Sequence, residues 1–138
     1  MLIIKKSINF AFSSQLAKTT MEDFVHLHVH SQYSILDGQA AIKKLVDKAI
    51  ADGMKGIALT DHGNMMGVKE FFNYVNKLNG KKSDEQKFKP IIGCEVYVAP
   101  RTRFDKQTKE DLSPYHLILL CRNNEGYKNL VKIVSLAG

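Results

Sequence analysis

No stretch of this sequence approaches the roughly 18 consecutive apolar residues that a membrane helix needs, so nothing in it is expected to span a bilayer. Cysteine is scarce: Cys94 and Cys121 are the only two, and each sits inside an apolar run. Two such residues make no disulfide framework. They read as reduced, buried thiols of a cytoplasmic protein. Internal repeats, low-complexity tracts and a glycine-rich phosphate loop are also missing, and no serine stands in an arrangement that points to a Ser-His-Asp nucleophile. At 138 residues and 44% apolar composition, the chain can bury one modest core, which argues for a single domain.

Residues 1–20 (MLIIKKSINFAFSSQLAKTT) lack any acid, any arginine and any sustained apolar period. Lys5 and Lys6 follow the first apolar residues instead of preceding them, and no small-residue cleavage site follows, so the segment does not fit a secretory signal. The absence of arginine weakens a transit peptide. The expectation is an unstructured N-terminal extension over residues 1–20, with Met21 as the natural start of the domain.

What the chain does contain begins with positive charge, +6 in all. Between Lys77 and Lys109 nine lysines or arginines stand against four acids. Such a stretch suits a phosphate backbone or phosphate ester, although a solvated lysine-rich loop is the simpler reading on its own.

From Phe24 onward, strand and helix patterns alternate. Phe24 to Val29 is short, β-prone and apolar at alternate positions, which predicts a first strand. Ile42, Leu45, Val46, Ala49 and Ile50 form one helical face, and Gly53 sits where a left-handed cap belongs. Gly56 to Thr60 predicts a second strand. Asn64 is placed to cap a helix carrying Phe71, Phe72, Val75 and Leu78, which Asn79-Gly80 ends. A charged loop leads to a third strand over Ile91 to Ala99. A polar loop then leads to a fourth over His116 to Cys121, and a last helix carries Tyr127, Leu130, Val131 and Val134. Near-continuous apolar strands between amphipathic helices predict an α/β fold with a mostly parallel sheet, either a small open sheet or half of a barrel. The chain stops just after a helix, and a fragment of a larger domain is expected.

Five histidines occur, three of them within five residues: His26, His28 and His30. In a strand, residues at i, i+2 and i+4 share one face, so the three imidazoles should point the same way. Such a stack needs matching donors and acceptors, or a metal ion, for which imidazole nitrogen is a strong ligand. A histidine-rich exposed face is the alternative. Thr60-Asp61-His62-Gly63 follows the second strand, where parallel α/β folds gather function. There His62 can join the cluster, while Asp61 can bind metal, orient a ligand imidazole or simply cap the turn. Asp37 before Gly38 is equally readable as a ligand or a turn residue. Glu95 lies within an apolar strand, where a carboxylate needs a cation or several donors. His116 opens the fourth strand and could equally be a solvent-touching edge residue. Mixed histidine and carboxylate ligands from successive segments suit two or three divalent ions working in hydrolysis.

These residues lie in stretches that match a known family. His26 to Gly38 (HLHVHSQYSILDG) resembles the first motif of PHP (polymerase and histidinol phosphatase) domains, in the form found in alpha subunits of bacterial DNA polymerase III. Thr60 to Asn64 (TDHGN) resembles the second motif. Lys89 to Pro100, Arg103-Phe104-Asp105, Tyr115-His116-Leu117 and Gly126 to Leu130 continue the likeness in order, from about residue 22 to the end. The resemblance implies the first four strands or so of a distorted (β/α)7 barrel of TIM type, so that residues 21–138 would be the N-terminal part of such a domain. It implies metal ligands at His28, His30, Asp37, His62, Glu95 and His116, with His26 and Asp61 supporting them from behind. The family's further ligands, a cysteine and an Asp-x-His pair, would lie beyond residue 138, since neither Cys94 nor Cys121 has the matching context.

Implied with the family are two or three divalent ions (zinc, manganese or magnesium), DNA and other replicase subunits as partners, a cytoplasmic location and no membrane. The polymerase aspartates belong to a much later domain. Some PHP domains of these polymerases are metal-dependent 3′–5′ exonucleases, and others are platforms for a separate proofreading partner. A free-standing phosphoesterase acting on a small ester such as histidinol phosphate is the other reading.

Overall fold

The structure, a computed structural model, describes residues 24–137. The extension expected over residues 1–20 and the boundary at Met21 lie outside the described residues. Helix α1 spans Ile42–Ala51 and strand β1 Gly56–Leu59; helix α2 spans Val68–Asn79 and strand β2 Lys89–Val98; strand β3 spans Tyr115–Leu120 and helix α3 Asn124–Ala137. A short 3-10 turn, Asp84–Gln86, lies in the charged loop before β2.

The helices end as their sequences direct. Gly53, at φ +82°, takes the left-handed turn after α1, and Gly80, at φ +40°, follows α2. Asn79 does more than end its helix. Its side chain accepts the Phe88 amide and donates to the Phe88 carbonyl, both at 2.9 Å, and so delivers the buried Phe88 to the foot of β2.

The sheet order is β1-β2-β3. β1 runs parallel to β2, Gly56 opposite Lys89 and Leu59 opposite Ile92. β2 runs antiparallel to β3, Gly93 opposite Leu120 and Val98 opposite Tyr115. The mostly parallel sheet expected from the sequence is therefore a mixed one. The reason lies in the connection between β2 and β3, which contains no helix: without a crossover element the chain turns straight back, and consecutive strands joined this way pair antiparallel.

The first strand is a second correction. Phe24 to Val29 lies beside β1, with the Ala58 amide donating to the His26 carbonyl and the Thr60 amide to the Val29 carbonyl, each at 2.9 Å. The ladder breaks because the Val29 amide donates to the Thr60 side-chain hydroxyl (2.8 Å), and the chain bends at Leu27 and His28. Three strands, not four, make up the sheet among the described residues, and it stays open. The α/β class holds, while these residues supply no further barrel wall.

The main core joins Ile42, Val46 and Ala49 of α1, Ile57 and Leu59 of β1, and Val68, Phe71 and Val75 of α2 with Met54 and Phe88. A smaller cluster of Cys94, Val96 and Leu130 holds α3 against β2. Phe72, expected on the buried face of α2, is exposed. Among the described residues no helix is long and apolar enough to cross a membrane.

Candidate metal centre

The site assembles at the ends of β1 and β2. Beyond β1, His62 forms an isolated parallel bridge with Glu95, closed by the Glu95 amide donating to the Asp61 carbonyl (3.1 Å) and the Gly63 amide to the Glu95 carbonyl (2.8 Å). Strand alternation puts Glu95 and Tyr97 on the same face of β2. His116 on β3 is the direct cross-strand partner of Tyr97. His28 and His30 arrive from the bent segment beside β1, and Asp37 from the loop that follows it.

Glu95 is the hub. It is only 3% exposed, yet both carboxylate oxygens face imidazoles. Oε2 lies 2.5 Å from His30 Nε2 and 3.1 Å from His28 Nε2, and Oε1 pairs with His116 Nδ1. Burial alone would raise the pKa of this carboxyl. Hydrogen bonds from His116, His28 and His30 together outweigh it and bring the group down to about 2, so Glu95 is an anion at any physiological pH. A second group adjoins it: His62 Nδ1 lies 2.5 Å from Asp37 Oδ2, which is 4.0 Å from His30 Nδ1. The ring centroids of His62 and His116 are 5.1 Å apart. All six residues expected to be ligands thus converge.

The donor set fits divalent ions. His28, His30 and Glu95 form one group whose ligand atoms lie within 4.8 Å of one another, and His30, Asp37 and His62 form a second. A tetrahedral ion with bonds of about 2.0–2.1 Å needs ligand–ligand edges of roughly 3.3 Å. The His28–His30 and His28–Glu95 separations of 3.2 and 3.1 Å are close to that, and the 2.5 Å between His30 and Glu95 would open by less than 1 Å. Two carboxylates, Asp37 and Glu95, among the imidazoles supply the mixed oxygen and nitrogen donors that divalent cations take. Beside this cluster opens a cavity of about 530 Å³, whose lining includes His28, His30 and Asp37, the charged Lys48 and Asp52, and apolar residues of α1 and β1.

Asp61 departs from the role of backing an imidazole. Its buried carboxylate accepts from the Ser31 amide (2.6 Å), the Ser34 hydroxyl (2.8 Å) and the Ser31 hydroxyl (2.9 Å). It caps the turn that carries Asp37, because both oxygens point into the loop instead of toward the histidines. The Ser34 hydroxyl in turn accepts the His62 amide (2.9 Å), tying the loop to the second motif. His26 borders the cavity but is exposed, and it packs edge-on against Phe24 (4.7 Å) outside both ligand groups; the bend at Leu27 and His28 interrupts the alternation that would have aligned it. Asn64 does not cap α2. It donates to the Tyr33 and His62 carbonyls and accepts the Met66 amide, which delays the helix to Val68.

Neither thiol joins the cluster. Burial pushes Cys94 up to about 11, and its Sγ donates to the Asp61 carbonyl. Ser31, Ser34 and Tyr97 carry the site's remaining contacts and are the residues a reading of the sequence overlooks. The signal for Tyr97 is its place two residues after Glu95 on the same strand face.

Residues 26–138 match the PHP domain family. The chain is 49% identical over 115 residues to DNA polymerase III subunit alpha of Chlamydia trachomatis, covering 83% of this chain and 9% of that protein. It is 47% identical over 116 residues to the same subunit of Borreliella burgdorferi, with 83% and 9% covered. Against that of Aquifex aeolicus the identity is 41% over 122 residues, with 84% and 10% covered. The chain therefore spans only 9–10% of the length of these curated relatives.

Proposed function

Because this chain belongs to the PHP domain family, we propose that it is the N-terminal PHP segment of a bacterial replicative DNA polymerase, a DNA polymerase III alpha subunit. In the parent it would form the opening strands of a distorted (β/α)7 barrel. DNA, the other replicase subunits and the cytoplasm follow as partners and place.

The proposed activity of the segment's own site is metal-dependent phosphodiester hydrolysis, removing nucleotides from a 3′ end. One observation carries it: a buried, ionised Glu95 on which three imidazoles converge, with the Asp37–His62 pair alongside. His28, His30 and Glu95 would hold one divalent ion, and His30, Asp37 and His62 would border a second position, with His116 on the far oxygen of Glu95. Bound there, such ions supply Lewis-acid activation of water and neutralise charge on a phosphoryl group. The protein's own part is to keep Glu95 anionic and to aim the imidazole nitrogens. Asp61, through Ser31 and Ser34, holds the Asp37 loop in reach, and the adjoining cavity has room for a nucleotide end.

The test is made on the intact parent polymerase. A His28→Ala, His30→Ala double variant should lose manganese- or zinc-dependent degradation of single-stranded DNA by more than about 100-fold, beyond the loss typical of a supporting residue. Primer extension should persist. Unchanged degradation in the double variant would remove the activity from this site and leave the binding platform as the better reading.

A further inference from the structure

His62 has two ring nitrogens, and each has a different neighbour. Nδ1 faces the carboxylates, 2.5 Å from Asp37 Oδ2 and 3.9 Å from Glu95 Oε2. Nε2 is hydrogen-bonded to the Tyr97 hydroxyl. Tyr97 is 54% exposed, so its position answers no demand of the core. Its ring stands 4.9 Å from both His62 and His116.

A neutral imidazole offers one lone pair and one N–H, and the partner of one nitrogen decides what the other can do. We propose that Tyr97 is a positioning residue that selects Nδ1 of His62 as the metal-facing nitrogen. This rests on the metal-binding reading given above. A phenol suits the task because it both donates and accepts. Without an ion, Nδ1–H donates to Asp37 and the Tyr97 hydroxyl donates to Nε2. When Nδ1 gives its lone pair to an ion, the proton resides on Nε2 and is donated to the Tyr97 oxygen. Nδ1 gives up its proton to solvent, Nε2 takes one from solvent, and the hydroxyl rotates from donor to acceptor, so His62 changes tautomer without moving its ring. A phenylalanine would keep both ring contacts and lose this exchange.

The experiment uses the chain with ¹⁵N-labelled histidine, as wild type, Tyr97→Phe and His62→Ala, the last to assign the His62 signals, with zinc as the probe. In zinc-loaded wild type, His62 should show a metal-bound Nδ1 and a protonated Nε2. Tyr97→Phe should bind zinc about tenfold more weakly, as loss of an orienting partner does, and should show mixed ligation through the two nitrogens. Zinc on Nε2 in the wild type, or equal affinity and unchanged His62 signals in Tyr97→Phe, overturns the proposal while leaving the metal site standing. The metal-free spectra form a separate arm: Tyr97→Phe should shift His62 and leave His28 in place, and an unshifted His62 refutes the contact. A wild-type chain that binds no zinc at all, despite that shift, overturns the metal reading and the proposal with it.

Discussion

Replacing Asp61 by alanine separates the loop-capping role from ligation. Asp61 is 2% exposed and accepts three hydrogen bonds, two from Ser31 and one from Ser34. Hydrogen bonds to a charged acceptor contribute about 1.5–3 kcal/mol each, and a buried donor left unpaired costs about 1–3 kcal/mol. The three bonds share one carboxylate, whose own desolvation cost disappears with it, so the contributions do not add. A net loss of about 3 kcal/mol for the loop is expected, which corresponds to an opening equilibrium raised by roughly 100-fold. Amide hydrogen exchange reads this locally. The Asp37 and Gly38 amides donate to the Ser34 carbonyl, not to Asp61, so their protection reports the order of the loop and not the deleted acceptor. Both should exchange roughly 100-fold faster in Asp61→Ala, and zinc affinity should fall although Asp61 faces no imidazole. Asp61→Asn, which retains one acceptor oxygen, should fall between the two. Wild-type protection at Asp37 and Gly38 in Asp61→Ala would refute the reasoning.

Other outcomes follow from the same geometry. A Cβ on Gly38 would lie 2.2 Å from the Ser31 carbonyl oxygen, so Gly38→Ala must displace the loop; a reduced urea midpoint together with weakened zinc binding is expected. The Glu95 carboxyl sits at about 2 against an ordinary 4.5, so its stabilisation is complete above about pH 4.5 and is lost as the pH falls toward 2. Over that window wild type should lose about 3 kcal/mol that Glu95→Gln does not; parallel acid-unfolding curves for the two would contradict it. Cys94, raised by burial, should resist alkylation at pH 8 until the chain unfolds, as mass spectrometry of the labelled protein would record. Phe71→Ala should cost about 3–5 kcal/mol in chemical denaturation, because the ring fills the centre of the main core.

Much of this was legible in the sequence wherever one local rule decided the outcome. The Ile42, Val46 and Ala49 stripe, the left-handed Gly53 and the apolar GIAL strand each depend on neighbours a few residues away. His28, His30, His62 and Glu95 were legible as a cluster, since a carboxylate inside an apolar strand and histidines at strand ends require partners, whereas Asp37 and His116 came in only through the family resemblance. What escaped depended on contacts between distant segments. Thr60 takes the Val29 amide with its side chain, and that breaks a strand whose alternation looked regular. Asp61 satisfies serines 27 and 30 positions away, and those distant contacts select turn capping from the three roles that the local sequence left open. The antiparallel turn of β3 follows from the helix-free loop before it, which the sequence does show, while the apolar strand pattern taken alone pointed to parallel pairing.

Calorimetric titration of zinc or manganese into the purified chain, alongside the His28→Ala, His30→Ala double variant and Cys121→Ala, tests the metal centre most directly. The wild type should bind the ion and release protons as it does so, and acidification should weaken binding, because imidazole ligates only in its neutral form. The double variant should lose most of that affinity, and Cys121→Ala should retain it. A double variant that binds as tightly as wild type would contradict the assignment of the site.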